Sequence, residues 1–162
     1  MLRAFSDGLP YVGTTLEWFS RQVQHSGETR TILGRRVGFD AWEPQDSRNV
    51  ALPFEKALEV YGSRLKRAYT HKATNYVIQG SASDLMKAGL LKCWQDGIFA
   101  ATSVPRLIVH DSAEFSVPDH SPSRQAALKE MVRTMETAIK FKVPIRMERE
   151  YGPSWGNLYP MD

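Results

Sequence analysis

The chain has 162 residues, 42% apolar and 24% charged, with a formal net charge of +3, which suits one globular domain with a real core and permits a nucleic-acid partner without demanding one. Cys93 is the only cysteine, which excludes an intramolecular disulfide and a multi-cysteine zinc site and fits a reducing compartment. No apolar run approaches the roughly 18 residues of a membrane span, and MLRAFSDGLP lacks the apolar core of a signal peptide, so the expected location is cytoplasmic, with no membrane partner.

Val12, Leu16, Phe19 and Val23 recur at helical spacing, predicting an amphipathic helix from about Pro10 to His25, stopped by Gly27. ETRTIL and RVGFDAW then read as two short strands around Gly34-Arg35, a hairpin. EPQDSRN reads as a surface loop. Phe54, Leu58, Tyr61 and Leu65 mark a second helix that runs into the basic stretch RLKRAYTHK. A third helix is expected from about Ala73 to Gln95, continuous through Gly80 and ended by Gly97.

PRLIVH and AEFSVP are short and rich in β-branched and aromatic residues, and only Asp111-Ser112 or so joins them, so a tight hairpin is predicted. Ser121-Pro122 begins a helix with a preferred cap and a first-turn proline, and Leu128, Met131, Val132, Met135 and Ile139 form its apolar stripe. Ile145, Met147 and Arg149 alternate with Arg146, Glu148 and Glu150, predicting a last strand before the tail YGPSWGNLYPMD. The natural packing of this order is an α+β fold, helices on a small antiparallel sheet.

Three stretches carry chemistry. Asp111, beside His110, is a carboxylate at the tip of a tight hairpin, held by two strands yet open to water and phosphate; hard divalent cations take such ligands. Aspartate is also a common turn residue, and a lone histidine is more often packed than ligating. Asn75 and Gln79 sit one helical turn apart, where amides can both donate to and accept from minor-groove base edges and sugars; the small residues from Gly80 to Ser83 allow a close approach. A helix-packing face with two solvated amides accounts for them equally well. Arg35 and Arg36, at the Gly34 turn, can grip a phosphate backbone, although such a turn is commonly just solvated.

The order of these pieces says more than each piece does. GETRTILGRR, HKATNYVIQGSASDLMK, LIVHDSAEFSV and VPIRMEREYGPSW, in that sequence, resemble the C-terminal part of family A DNA polymerases, the DNA polymerase I and phage replicase group. The resemblance spans nearly the whole chain and is thinnest between Glu43 and Arg67. It implies a single partial domain over residues 1–162, palm-like, with an adjoining fingers helix. It implies that Asp111 matches the motif C aspartate, one of two carboxylates that bind a catalytic Mg²⁺ pair, and that His110 lies near the primer terminus. Asn75 and Gln79 would track primer-template DNA in the minor groove, Arg35 or Arg36 would lie close to DNA, and Trp155 would be structural. The family's basic residue four positions before the asparagine falls on His71, with Lys72 beside it.

Ser112 stands where the family has glutamate, with Glu114 two residues on, and the tail lacks the family's histidine. Motif A and the fingers elements that handle the incoming dNTP are absent. Two-metal transfer requires carboxylates from both motifs around ions about 3.5–4 Å apart. The expectation is therefore a polymerase subunit or fragment, inactive alone, completed by a second chain carrying motif A and the fingers. The alternative is a DNA-binding remnant that uses no metal.

Overall fold

A computed structural model describes residues 8–46, 49–118 and 121–161. All strand pairing among them is antiparallel and is shared among four small sheets, alongside helices of up to 23 residues. This is the mixed α+β class expected, with the strands distributed among several ribbons instead of one sheet. The chain divides into two compact units, residues 1–84 and 85–162. One helix, Ala73–Gln95, passes through that boundary.

In the first unit, α1 (Pro10–Ser26) ends where Gly27 turns left-handed at φ 76° and its N–H returns to the Val23 carbonyl at 2.9 Å. Val23 is fully buried and packs with Phe39 and Ala73, flanked by Phe19 and Val37. Strands β1 (Glu28–Arg30) and β2 (Arg36–Gly38) form the expected hairpin, with Thr29 opposite Val37.

A second sheet follows, which the sequence reading did not contain. β3 (Ala41–Pro44) pairs on one side with β4 (Leu52–Pro53) and on the other with β5 (Leu65–Arg67). Glu43 and Pro44 of the expected loop are thus strand residues, while Ser47 and Arg48 lie outside the described residues. Helix α2 (Phe54–Tyr61) stops at Gly62, at φ 76°, so Leu65 belongs to a strand and does not continue the helix as expected. The Arg67 guanidinium fixes this sheet: it lies 4.5 Å from the Trp42 ring centroid and donates to the Phe39 carbonyl at 2.9 Å. A 3₁₀ turn, Thr70–Lys72, leads into α3 (Ala73–Gln95), with the predicted bounds.

In the second unit, Met86, Cys93, Ile98, Met131 and Met135 form the core, with Leu90, Phe99, Ala113, Phe115, Leu128 and Met147 packed against it. Fully burying an Ile or Met side chain contributes about 1.5–3 kcal/mol. Gly89 lets the helices close: a Cβ there would stand 3.2 Å from the Met135 Cα. Gly97 ends the long helix at φ 72° but also begins a short one, α4 (Ile98–Ala101), that periodicity did not reveal.

β6 (Pro105–Val109) and β7 (Ser112–Phe115) form the predicted hairpin, with a register shift between Pro105 and Leu107. Helix α5 (Pro122–Thr137) opens on its proline as expected but leaves Ile139 beyond its end. The 145–149 segment is not a strand, although Ile145, Met147 and Arg149 are more buried than the residues between them. The last ladder lies further on, in what had read as a tail: β8 (Glu150–Ser154) pairs with β9 (Asn157–Pro160).

Candidate functional site

The β6–β7 ladder pairs Val109 with Ser112, so the two-residue turn is His110-Asp111 and not Asp111-Ser112. His110 adopts φ 54°. Tight hairpins of this length want a positive φ at their first central position, which glycine usually supplies. An L-residue held there costs about 1–2 kcal/mol. Backbone strain of this kind concentrates where a side chain must be displayed in a set direction.

Asp111 and His110 are both exposed and, among the described residues, make no side-chain hydrogen bond or ion pair. The Ser112 hydroxyl donates to the Val109 carbonyl at 3.0 Å, so it braces the turn. Glu114 is half-buried on the ladder opposite Leu107. Among the described residues no group of three or more His, Cys, Asp or Glu is placed to hold a metal ion. In donor chemistry the turn fits a hard divalent cation through one carboxylate oxygen donor, and the rest of a coordination shell would have to come from elsewhere.

The amide pair lies on the first-unit portion of α3. At about 100° per residue, Ala73, Tyr76, Gly80 and Asp84 form one stripe along this helix. That stripe is the packed one. Ala73 is buried with Val23 and Phe39, Tyr76 meets Phe39 edge-on at 5.7 Å between centroids, and Gly80 and Asp84 receive the β1–β2 turn. Asn75 and Gln79 point well away from it and are exposed. They are therefore solvent-facing amides, as both readings of the sequence have them.

His71, one turn before Asn75, is also exposed. Lys72 stands with its Nζ 4.8 Å from the Tyr69 ring centroid, and Tyr69 itself takes a left-handed φ of 61°. Ser20 of α1 ties this corner down by donating to the Thr70 hydroxyl at 3.0 Å.

The two arginines of the Gly34 turn differ. Arg35 Nε donates to Asp84 Oδ1 at 2.9 Å and its Nη2 to the Gly80 carbonyl at 2.9 Å. Its guanidinium is turned onto the helix. Arg36 pairs with Glu28, which Arg30 also grips at 2.8 Å, and its side chain keeps 68% of its exposure. Desolvation raises the Glu28 pKa, but the Arg30 hydrogen bond and the charges of Arg36 and Arg30 together hold it below the ordinary carboxylate value.

Ser81 and Asp84 lie in the stretch that carries the resemblance, but the sequence assigns neither a contact of its own. Both lie inside the continuous helix, and the contacts that employ them are with residues 49 positions earlier. A shallow basic concavity of about 290 Å³, lined by Lys129, Arg133, Arg146 and Arg149, was also not foreseen. Glu136 lies within it and accepts the Met147 N–H at 2.9 Å. Trp155, expected to be structural, stands 64% exposed in the turn between β8 and β9.

A family model described as DNA polymerase family A matches residues 1–157 of this chain. A DNA-directed DNA polymerase of Pseudomonas phage M6 is 26% identical over the whole chain, which covers 20% of that protein. DNA polymerase I of Borreliella burgdorferi is 31% identical over 140 residues, 85% of this chain and 13% of that one. Among solved structures, the polymerase domain of Pol1 from M. smegmatis, in complex with a DNA primer-template and dNTP, aligns with 88% of this chain at a TM-score of 0.65 and 26% identity. The chain spans about a fifth of that domain and a fifth or less of these curated relatives.

Proposed function

The chain belongs to DNA polymerase family A, and on that premise we propose that it supplies the motif C carboxylate and part of the primer-template grip for dNTP incorporation. Motif A and the fingers come from outside these residues, in a second polymerase chain or the remainder of a longer polypeptide. The observation that carries this reading is the turn itself: an exposed aspartate beside a non-glycine residue held at positive φ, at the tip of a two-stranded ladder.

Asp111 would hold Mg²⁺ together with carboxylates from the missing motif. A bound divalent pair would lower the pKa of a primer hydroxyl and neutralise phosphate charge. His110 presents an imidazole beside the primer terminus. Asn75 and Gln79, one turn apart on the open helix face, donate to and accept from base edges and sugars in the minor groove. His71, Lys72 and the Gly34 turn add positive charge along the backbone. One carboxylate cannot organise two cations, so the chain alone is inactive in this reading. It works in the cytoplasm, where Cys93 stays reduced.

Primer extension by the assembled polymerase tests this. Asp111→Asn should lower the extension rate on the order of 10²–10³-fold while leaving duplex affinity nearly unchanged. Extension at the parent rate by that variant would refute the assignment. The Ser112 side chain favours a second reading: its hydroxyl is committed to the Val109 carbonyl where the family has a glutamate. A chain that binds duplex but yields no extension in any assembly, with or without Asp111, would establish that non-catalytic DNA-binding role.

A further inference from the structure

The Gly34 turn offers two guanidiniums, and the structure treats them differently. Gly34 N–H closes a tight turn on the Thr31 carbonyl at 2.9 Å, and Thr31 N–H donates to the Arg35 carbonyl at 3.0 Å. The Thr31 hydroxyl accepts the Arg35 N–H at 3.1 Å. The turn is thereby a rigid unit, and four contacts set it on α3. Ile32 N–H donates to Ser81 Oγ at 3.0 Å. Arg35 reaches Asp84 with Nε and the Gly80 carbonyl with Nη2, both at 2.9 Å. Gly80 lacks the Cβ that would stand 2.7 Å from Thr31 Cγ2.

Asp84 is 6% exposed, so its carboxylate meets Arg35 where water competes poorly. Two of the Arg35 nitrogens are committed in one plane, the fork geometry that makes guanidinium a good clamp. Arg36 shares the half-buried Glu28 carboxylate with Arg30, but its own guanidinium stays open to solvent, where a phosphate could compete for it.

We propose that Asp84 is the positioning residue of this turn: through Arg35 it fixes the β1–β2 turn on α3, and so leaves the phosphate contact of the turn to Arg36. The second half rests on the DNA-binding reading above; the first does not. Arg35 is a strut, and Arg36 is the ligand.

The test uses the full chain, a primer-template DNA duplex and five variants: Arg35→Ala, Arg36→Ala, Asp84→Asn, Asp84→Ala and the Arg35→Ala/Asp84→Ala double. Each phosphate contact contributes about 0.9 to the slope of log affinity against log salt. Arg36→Ala should flatten the slope by about that amount. Arg35→Ala and Asp84→Ala should weaken binding severalfold with the slope kept, and the double variant should be no weaker than either single. Asp84→Asn, isosteric, should fall between the parent and Asp84→Ala.

Hydrogen exchange in the DNA-free chain reads the strut separately. Ile32 N–H should lose protection in Arg35→Ala and Asp84→Ala and keep it in Arg36→Ala. Ile32 protection unchanged by Arg35→Ala and Asp84→Ala would overturn the strut, whatever DNA does. A slope lowered by Arg35→Ala as much as by Arg36→Ala, and still lowered in the Asp84→Ala background, would overturn the division of roles. If no variant and no parent binds duplex, the DNA reading and the Arg36 contact fall together, while Ile32 exchange still decides the strut.

Discussion

Arg35 and Asp84 are 49 residues apart in the chain and meet at 2.9 Å between Nε and Oδ1, the guanidinium half open to solvent and the carboxylate almost fully covered. The asymmetry determines what each deletion does. Removing Arg35 leaves a buried carboxylate without this partner; removing Asp84 leaves a guanidinium that can swing into water.

Arg35→Ala should therefore destabilise the fold more than Asp84→Ala does. Breaking a fully buried pair costs about 3–5 kcal/mol, and the exposure of Arg35 reduces this to about 1–3 kcal/mol. Urea unfolding of the two variants and the double variant gives the ordering and the coupling energy. Equal losses that add in the double variant would show that the two side chains act independently.

Gly80→Ala should go against helix propensity. In an open helix interior this change stabilises by about 1 kcal/mol. Here the new Cβ would press on Thr31, which is 5% exposed and β-branched, and overpacking costs about 1–3 kcal/mol. The variant should be neutral to about 2 kcal/mol less stable. Thr31→Ser keeps the hydroxyl that accepts Arg35 N–H and removes the offending methyl, so Gly80→Ala/Thr31→Ser should recover most of the loss in a thermal melt.

His110 sits at φ 54°, and the penalty there is shared by every L-residue. His110→Gly should be more stable than His110→Ala by about 1 kcal/mol, the reverse of the usual order at a negative φ. The comparison needs only two chemical denaturation curves. A glycine variant less stable than the alanine one would show that the turn is unstrained.

Cys93 is buried, with its thiol packed 3.8 Å from the Met131 carbonyl. Burial, helped by the nearby Asp96 charge, raises its pKa from 9.0 to about 11. Between those two values the folded chain holds a proton that the unfolded chain has lost, so the stabilisation present below pH 9 should decline as the pH climbs toward 11. Cys93→Ala should remove that part of the alkaline decline. At pH 8 a thiol reagent should modify the chain only as fast as it opens, with the rate rising steeply in mild urea.

The long helix from Ala73 to Gln95 was legible because apolar residues run through Gly80, and Gly27 and Gly97 punctuate the chain as their left-handed backbone requires. What escaped depended on partners far along the chain. Arg67 read as part of a charged helix end; it is a strand residue because Trp42, on the strand it pairs with, receives its guanidinium. The segment from Tyr151 onward read as a tail, yet a strand forms there: its ladder shifts register between Tyr151 and Ser154, and Gly152 leaves room for the Asn157 carbonyl. The hairpin turn was placed one residue late because Asp and Ser are the more usual turn formers, while His110 accepts the strained position. Likewise the order of motifs suggested which residues to consider, but two adjacent arginines look alike on paper, and it is the contact with Asp84 that tells them apart.

The missing Cβ of Gly80, which seats Thr31 against the helix, also bears on how this pair of segments can change over generations. Neither side is free to vary alone: a larger residue at 80 demands a smaller one at 31, and loss of the acid at 84 removes the reason for an arginine at 35. Helix and turn should drift together, as one heritable unit written in two distant stretches of the gene.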